Sequence, residues 1–447
     1  MPSEKKVRTI HQRPVELLQK LIQFDTTNPP GNEAECISFI EGLLREAKIE
    51  TKILAKSRER PNLLARLKGK GNSPPLLLYG HVDVVTTKNQ SWKHPPFSGD
   101  EAEGYVWGRG ALDMKGGVAM MLSSLLRAKS EELDLPGDVI LAVLSDEEAG
   151  SDFGAKYLVE NHPEEFDGAQ YAIGEFGGAT LHVGKRRLYP IAIAEKQMCW
   201  IKATLRGKGG HGSMPVRGEA MAKLARLLQR LDKKRLPVHV TPAAKLMFGG
   251  MARAAGGFNR GITSLLLVPI LTNRILGLVG DRGRILDPLL HNSISPTVLQ
   301  GSDKINVIPG AVSVEIDGRL LPGFNPEDMI EEVRRIAGRD VDLELIRHDP
   351  GPSKPDMGLF DILSTVVKEE DPEGFPVPLM LSGVTDARFF SRLGIQTYGF
   401  TPMKLPVGFN FADTIHAADE RIPVEGLEFG TRAILKAIER FGDSVKV

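Results

Sequence analysis

The sequence predicts an α/β protein whose helix-covered sheet is interrupted in the chain by a smaller α+β domain. Three observations carry that expectation. Apolar strand-like runs alternate with helical spacing over residues 14 to about 197, the pattern of a sheet with helices on both faces. Near residue 198 the texture changes to a β-α-β-β-α-β order, typical of a small two-layer domain. From about Gly351 the strand and helix alternation returns. At 447 residues the chain is also longer than one core usually organises. The expected domains are therefore residues 1–197 with 351–447, and an inserted domain over 198–350 in which about 235–291 is extra.

Element by element, helical spacing brings Leu17, Leu18, Leu21 and Ile22 together in 14–24. It does the same for Cys36, Ile37, Ile40, Leu43 and Leu44 in 33–49. Thr26–Gly31 between them is a loop by composition. Strands are expected at Asn62–Leu67, Leu76–Val85 and Val139–Leu144. A helix opens near Gly116, and another follows Ser151. In the inserted domain Met198–Leu205 alternates like a strand, and the glycine-rich stretch to Gly212 breaks it. A helix at 219–232, strands at 293–299 and 311–321, a helix at 326–337 and a strand at 341–347 complete that domain. The last helix spans 424–441.

Composition excludes several classes. Lys+Arg and Asp+Glu are both 57, so the net charge is zero, and neutralising nucleic-acid phosphates is not the main business of this chain. Only Cys36 and Cys199 occur, which rules out a disulfide framework and makes a reducing cytoplasm the expected home. Met1–Arg8 has no apolar run behind it, so no signal peptide is expected. Residues 262–280 are long enough to raise the question of a membrane span. Pro269 breaks that run, and Asn273 and Arg274 would sit expensively inside a bilayer. A buried or interface helix pair is expected instead, and no membrane partner.

Five places carry acids and histidines where catalysis would want them. In Gly80-His81-Val82-Asp83 the two-residue period of a strand puts His81 and Asp83 on one face. That suits a metal-binding imidazole oriented by a carboxylate, and equally a plain hydrogen-bonded pair. Around Asp113, four glycines at 108, 110, 116 and 117 force an unusual backbone path into a helix start. The spacing fits neither phosphate-binding loop, so a phosphate-handling enzyme is disfavoured. Asp146, Glu147 and Glu148 follow an apolar strand, where open α/β sheets place ligands. Glu175 follows another strand, and His416 lies late in the chain.

Taken together, His81, Asp113, Glu148, Glu175 and His416 offer two imidazoles and three carboxylates. If Asp113 bridges, each of two metals gains one His, one terminal carboxylate and the shared one. Three protein ligands per ion leave a position for water, the catalytic zinc pattern. Two divalent cations balance three carboxylates and a bridging hydroxide, and that neutrality suits a buried site. Too few thiols are present for a thiolate site, and two imidazoles argue against all-oxygen calcium or magnesium sites.

These motifs resemble the dizinc exopeptidase and deacylase family, which includes glutamate carboxypeptidase, aminoacylase, acetylornithine deacetylase, succinyl-diaminopimelate desuccinylase and carboxypeptidase S. The likeness rests on GHVDVV at 80–85, WGRGALDMKGG at 107–117, SDEEAGS at 145–151, GE at 174–175, GHGS at 210–213 and His416. It runs from about residue 15 to 440. It implies a zinc-peptidase-like α/β catalytic domain with an inserted lid and dimerisation domain. It also implies two Zn2+ per subunit, with Co2+ or Mn2+ as substitutes. Asp113 would bridge the ions, Glu148 and His416 completing one and His81 and Glu175 the other. Glu147 would be the general base and acid, and Asp83 would orient His81. The peptide between Asp113 and Met114 would be cis. His211 would reach the oxyanion, in several members from the partner subunit. Asn306, Arg319, Gly383, Thr385 and Arg388 match substrate-contacting segments, the arginines suiting a carboxylate.

The implied activity is hydrolysis of an amide or peptide bond in a small peptide or an N-acyl amino acid. The long insertion looks more like the carboxypeptidase S branch than the shorter deacetylase lids. Its apolar segments Leu265–Val268 and Ile275–Val279 could line a pocket for an apolar group or pack at a dimer seam. The competing expectation is a non-catalytic dimeric binding protein that keeps the fold.

Overall fold

Leu76–His81 and Val139–Leu144 are buried at every position, as strands covered on both faces must be. They pair in parallel with His81 opposite Leu144. The computed structural model describes residues 10–184, 186–255, 261 and 263–443, so Met1–Arg8, residues 256–260 and Ile262 of the sequence reading lie outside the described residues. In chain order the main strands are β1 (Glu50–Ala55), β2 (Pro61–Leu67), β3 (Leu76–His81), β4 (Val139–Leu144), β5 (Tyr171–Gly174), β6 (Leu181–Val183) and β7 (Arg186–Glu195). They continue as β8 (Gln197–Arg206), β9 (Ser293–Gln300), β10 (Ala311–Leu320), β11 (Asp342–Asp349), β12 (Gly374–Leu381) and β13 (Gln396–Gly399). By contacts the described chain divides into two compact units. The first comprises residues up to Ile193, Asp356–Leu379 and Thr385 onward, and the second Ala194–Pro355 with Met380–Val384.

The first unit holds a nine-stranded mixed sheet in the order β1-β2-β4-β3-β5-β13-β7-β12, with β6 beside β7. Its centre, β4-β3-β5-β13, is parallel. Residues that follow these strands therefore leave the sheet along one edge: His81 at the end of β3, Ser145–Glu148 after β4 and Glu175 after β5. The helix Lys115–Ser130 is buried through most of its length and packs against β3 and against the helix Val424–Arg440. Ser124 Oγ donates to Thr431 O across that pair at 2.9 Å. Gly116 permits the sharp entry into this helix, because a Cβ there would stand 2.2 Å from Ala111 O.

Some expected boundaries shift. The strand begun at Leu76 stops at His81 rather than Val85, because Val84 leaves the ladder and bridges Thr27 instead. The helix expected to 49 ends at Glu46, and Glu50–Ala55 becomes an edge strand that no apolar run announced. The ten-residue β7 carries Pro190, a residue that argues against a strand on sequence grounds.

The second unit has the element order β8, helix Ala220–Lys233, β9, β10, helix Pro326–Ala337, β11. Its antiparallel sheet runs β9-β10-β8-β11. Alternate residues Cys199, Ile201, Ala203 and Leu205 bury against Leu224, Leu227, Met329 and Val333 of the two helices. Asn325 and Asp328 form a reciprocal capping box at the start of the second helix, an arrangement worth about 1 kcal/mol. Between the first helix and β9 run the helices Pro242–Ala255, Pro269–Leu278 and Asp281–Leu286. Pro269 starts a helix rather than interrupting one. Among the described residues no helix is long and apolar enough to cross a membrane.

Candidate metal centre

Asp113 precedes the helix Lys115–Ser130 and is 4% exposed. Its two carboxylate oxygens face two different imidazoles. Oδ1 lies 3.2 Å from His81 Nε2, and Oδ2 lies 3.1 Å from His416 Nε2. Glu175 Oε2 stands 3.4 Å from His81 Nε2, and Glu148 Oε1 stands 3.2 Å from His416 Nε2. Two triads result, His81–Asp113–Glu175 and Asp113–Glu148–His416, and within each the donor atoms lie within 4.8 Å of one another. The histidines, 335 positions apart in the chain, thus meet on one carboxylate.

The donor set suits a pair of divalent ions. Glu175 is 3% exposed, yet neither of its oxygens has a hydrogen-bond partner among the described residues. A buried carboxylate left so is costly unless a cation completes it. The electrostatics agree in direction. Burial, with the nearby charge of Asp113, lifts Glu175 to a pKa of about 7 despite its contact with His81. Burial works against a charged His81, but Asp113, Asp83 and Glu175 outweigh it and raise its proton affinity well above the usual histidine range. Asp113 and Glu148 hold His416 up at about 10. Burial disfavours charge on Asp113, yet the two imidazoles hold its pKa below the usual carboxylate range.

Each donor is held from behind. His81 Nδ1 sits 3.0 Å from Asp83 O and 3.5 Å from Asp83 Oδ1. The Asp83 carboxylate also accepts from the backbone N–H groups of Glu147 and Glu148, both at 3.1 Å, and from Asn28 Nδ2 at 2.8 Å. The three adjacent acids after β4 have separate fates. Asp146, with φ +69°, pairs with Arg60 Nη1 at 2.9 Å, while Glu148 joins a triad. Burial, and then the charge of Glu175, raises the pKa of Glu147 well above the carboxylate range.

Glu420, to which the sequence alone assigns no role, is fully buried and grips the Asp113 loop. It accepts from the N–H groups of Gly110, Leu112 and Asp113 at 2.8–3.1 Å and from Arg109 Nη1 at 2.6 Å. Arg109 Nη2 and Gln90 Nε2 in turn donate to His416 O. Arg421–Pro423 pairs with Tyr105–Trp107, which brings the late chain to this loop. A signal for the pair did exist: an arginine inside a glycine-rich loop, and an acid four residues after a candidate ligand. The Asp113–Met114 peptide is cis, as the resemblance implied.

Of the other expected site residues, His211, Asn306, Arg319 and Gly383 belong to the second unit, and Thr385 and Arg388 to the first. In the second unit, exposed His211 pairs across a short ladder with Val307, next to Asn306, and its Nδ1 is 2.7 Å from Ser213 Oγ. Arg319 already makes a two-pronged pair with Asp317 at 2.9 and 3.1 Å. Gly383 is exposed, whereas Thr385 and Arg388 are buried. Arg388 donates to Thr385 O and lies 4.5 Å over the Phe389 ring. In the insertion Leu266 and Leu276 are buried, while Leu265, Val268, Ile270 and Leu278 are exposed.

A family model described as peptidase family M20/M25/M40 matches residues 77–440. The chain belongs to that family. It is 30% identical over 367 residues to probable carboxypeptidase S-like 2 of Dictyostelium discoideum, covering 78% of this chain and 68% of that protein. It is 27% identical over 377 residues to human N-fatty-acyl-amino acid synthase/hydrolase PM20D1, covering 82% of this chain and 74% of that one. Among solved structures, an M20 family metallo-carboxypeptidase from Sulfolobus solfataricus matches with a TM-score of 0.68 at 15% identity, over 96% of this chain and 99% of that one. The α/β fold is that of the family, and the protein is a metal-dependent hydrolase of peptide or acyl-amino acid bonds.

Proposed function

We propose that this protein hydrolyses the amide bond of an N-acyl amino acid or small peptide, using two zinc ions and Glu147 as general base and acid. The observation that carries the reading is the split of the Asp113 carboxylate between His81 and His416. His81 and Glu175 would hold one ion with Asp113, and Glu148 and His416 the other. Bound there, the ions supply Lewis acidity at the scissile carbonyl and lower the pKa of the attacking water towards ~7.

The rest is done by the chain itself. Glu147, its backbone fixed on Asp83, takes a proton from the water and returns it to the leaving amine. Its raised proton affinity suits a group that must accept a proton and then give it up. Asp83 keeps the far ring nitrogen of His81 engaged, so that Nε2 faces the donors. His211 would donate to the oxyanion. Asn306, Arg319, Gly383, Thr385 and Arg388 would frame the substrate. A substrate carboxylate would have to share Arg319 with Asp317.

The named relatives act on N-fatty-acyl amino acids or are carboxypeptidases by name, which supports an apolar acyl or side chain in the substrate. A homodimer through the second unit is part of the proposal. The edge strand β9, with Val298 and Leu299 exposed, offers a ladder with no partner among the described residues on its outer side. Two buried free cysteines accord with a cytoplasmic home.

The test is Glu147→Gln, with metal content and turnover of N-acyl amino acids and dipeptides measured together. Two metal equivalents should remain, and kcat should fall about 10²–10⁴-fold, the usual worth of a general base. Turnover near the parent level would overturn the assignment.

A further inference from the structure

Ser145–Ser151 carries Glu147 and Glu148, yet its backbone is poorly suited to standing alone. Asp146 (φ +69°), Gly150 (φ +109°) and Ser151 (φ +66°) all occupy the left-handed region. For residues with a Cβ that conformation persists only where the surroundings impose it. Asp83 grips the turn at Glu147 and Glu148, and Asp146 is tied to Arg60 and to the Phe153 N–H. At the far end, fully buried Ser151 donates through Oγ to Asp386 Oδ1. Asp386 is 1% exposed, and its Oδ2 has no hydrogen-bond partner among the described residues. Arg388 Nη2 reaches Ser151 Oγ at 3.5 Å; burial raises the pKa of Asp386 to about 6, and the charge of Arg388 is the main one opposing that rise. A half-satisfied buried carboxylate costs free energy, so this placement is not neutral filling.

We propose that Asp386 is a positioning residue for the reaction: its buried carboxylate, acting through Ser151, clamps the end of the acid-bearing turn opposite to the end held by Asp83, and so fixes Glu147. The proposal rests on the reading of Glu147 as the base. It gives two parts of the chain one task, because Asp386 directly follows the Gly383–Thr385 segment expected at the substrate.

The experiment uses the full-length, metal-loaded enzyme with Ser151→Ala, Asp386→Ala, Asp386→Asn and the Ser151→Ala/Asp386→Ala double variant. Each alanine variant should lower kcat about 10–100-fold with KM changed less than about twofold and metal content unchanged, because the lost contact positions rather than binds. The double variant should be no worse than the poorer single one, since both break one contact. Asp386→Asn, which keeps an acceptor for Ser151, should recover most of the rate. Amide hydrogen exchange of residues 145–154 should quicken in the alanine variants while the second unit's β10 stays protected. That readout does not depend on Glu147 chemistry, so it separates failure of the clamp from failure of the base. Multiplicative effects in the double variant, a rise in KM alone, or unchanged exchange in 145–154 would each overturn the clamp. If Asp386→Ala does not fold, Ser151→Ala, which removes a single hydroxyl, decides the question by the same exchange and rate criteria.

Discussion

The two donor triads that share Asp113 are built differently. His81 ends β3 and Glu175 directly follows β5, its parallel neighbour, and they are 1% and 3% exposed, so both are anchored a few residues from the sheet ladder. Glu148 and His416 come from a turn and a loop, and the His416 side chain is 47% exposed at φ +60°. Its place is set by hydrogen bonds from Arg109 and Gln90 to its carbonyl, behind which stands Glu420. One triad is therefore as rigid as the sheet, and the other only as rigid as a buried polar network.

The strongest way to break that contrast is to remove the element common to both halves. Glu420→Ala leaves buried Arg109 without its carboxylate and three loop amides without an acceptor. Thermal and denaturant unfolding should show a loss of about 3–5 kcal/mol, the usual result of stranding a buried charge. Metal analysis should show both ions bound more weakly, because the shared Asp113 moves. Retention of two tightly held ions would mean that the loop stands without Glu420.

Single-ligand variants sharpen the contrast. Chelator titration of the loaded enzyme should release metal in two steps, the half-exposed site first. His416→Ala should abolish the early step and leave about one equivalent, whereas Glu175→Gln should weaken the late one. Each loss should exceed the roughly 100-fold ceiling seen for outer-shell changes. A single step in all three proteins would dissolve the distinction.

pH supplies a gentler probe. In the metal-free protein His416 is held at about 10, first by Asp113 and then by Glu148, against an unfolded value of about 6.5. Its stabilising contribution is therefore complete below about pH 6.5 and lost progressively as pH rises through 10. Melting temperature of the metal-free protein should fall across that window, and His416→Ala should flatten the slope. An unchanged slope would place the proton elsewhere. The smallest expected effect is Gln90→Ala, which deletes one of the two donors on the His416 carbonyl. A single hydrogen bond is worth about 1 kcal/mol, so the outer ion should bind about fivefold more weakly and the inner one unchanged, by competition with a fluorescent chelator.

Much of this was legible beforehand. The all-apolar run Val139–Leu144 reads as a buried strand and is one, and the alternation Cys199, Ile201, Ala203, Leu205 faces a core as its period requires. Features without a local signature are not legible in this way. Glu50–Ala55 is an edge strand with no buried position, so it needs no apolar run. Glu420 is one acid among many until its three amide partners are folded around it.

The residue types at the site and the local periods that deliver them belong to the sequence, because helix and strand patterns are set within a turn or two of chain. Which acid after β4 faces a histidine, and that His416 reaches a loop some 300 residues earlier, belong to the tertiary structure. Those outcomes depend on strand order and on the pairing of Arg421–Pro423 with Tyr105–Trp107, contacts whose energy exists only once distant segments have met.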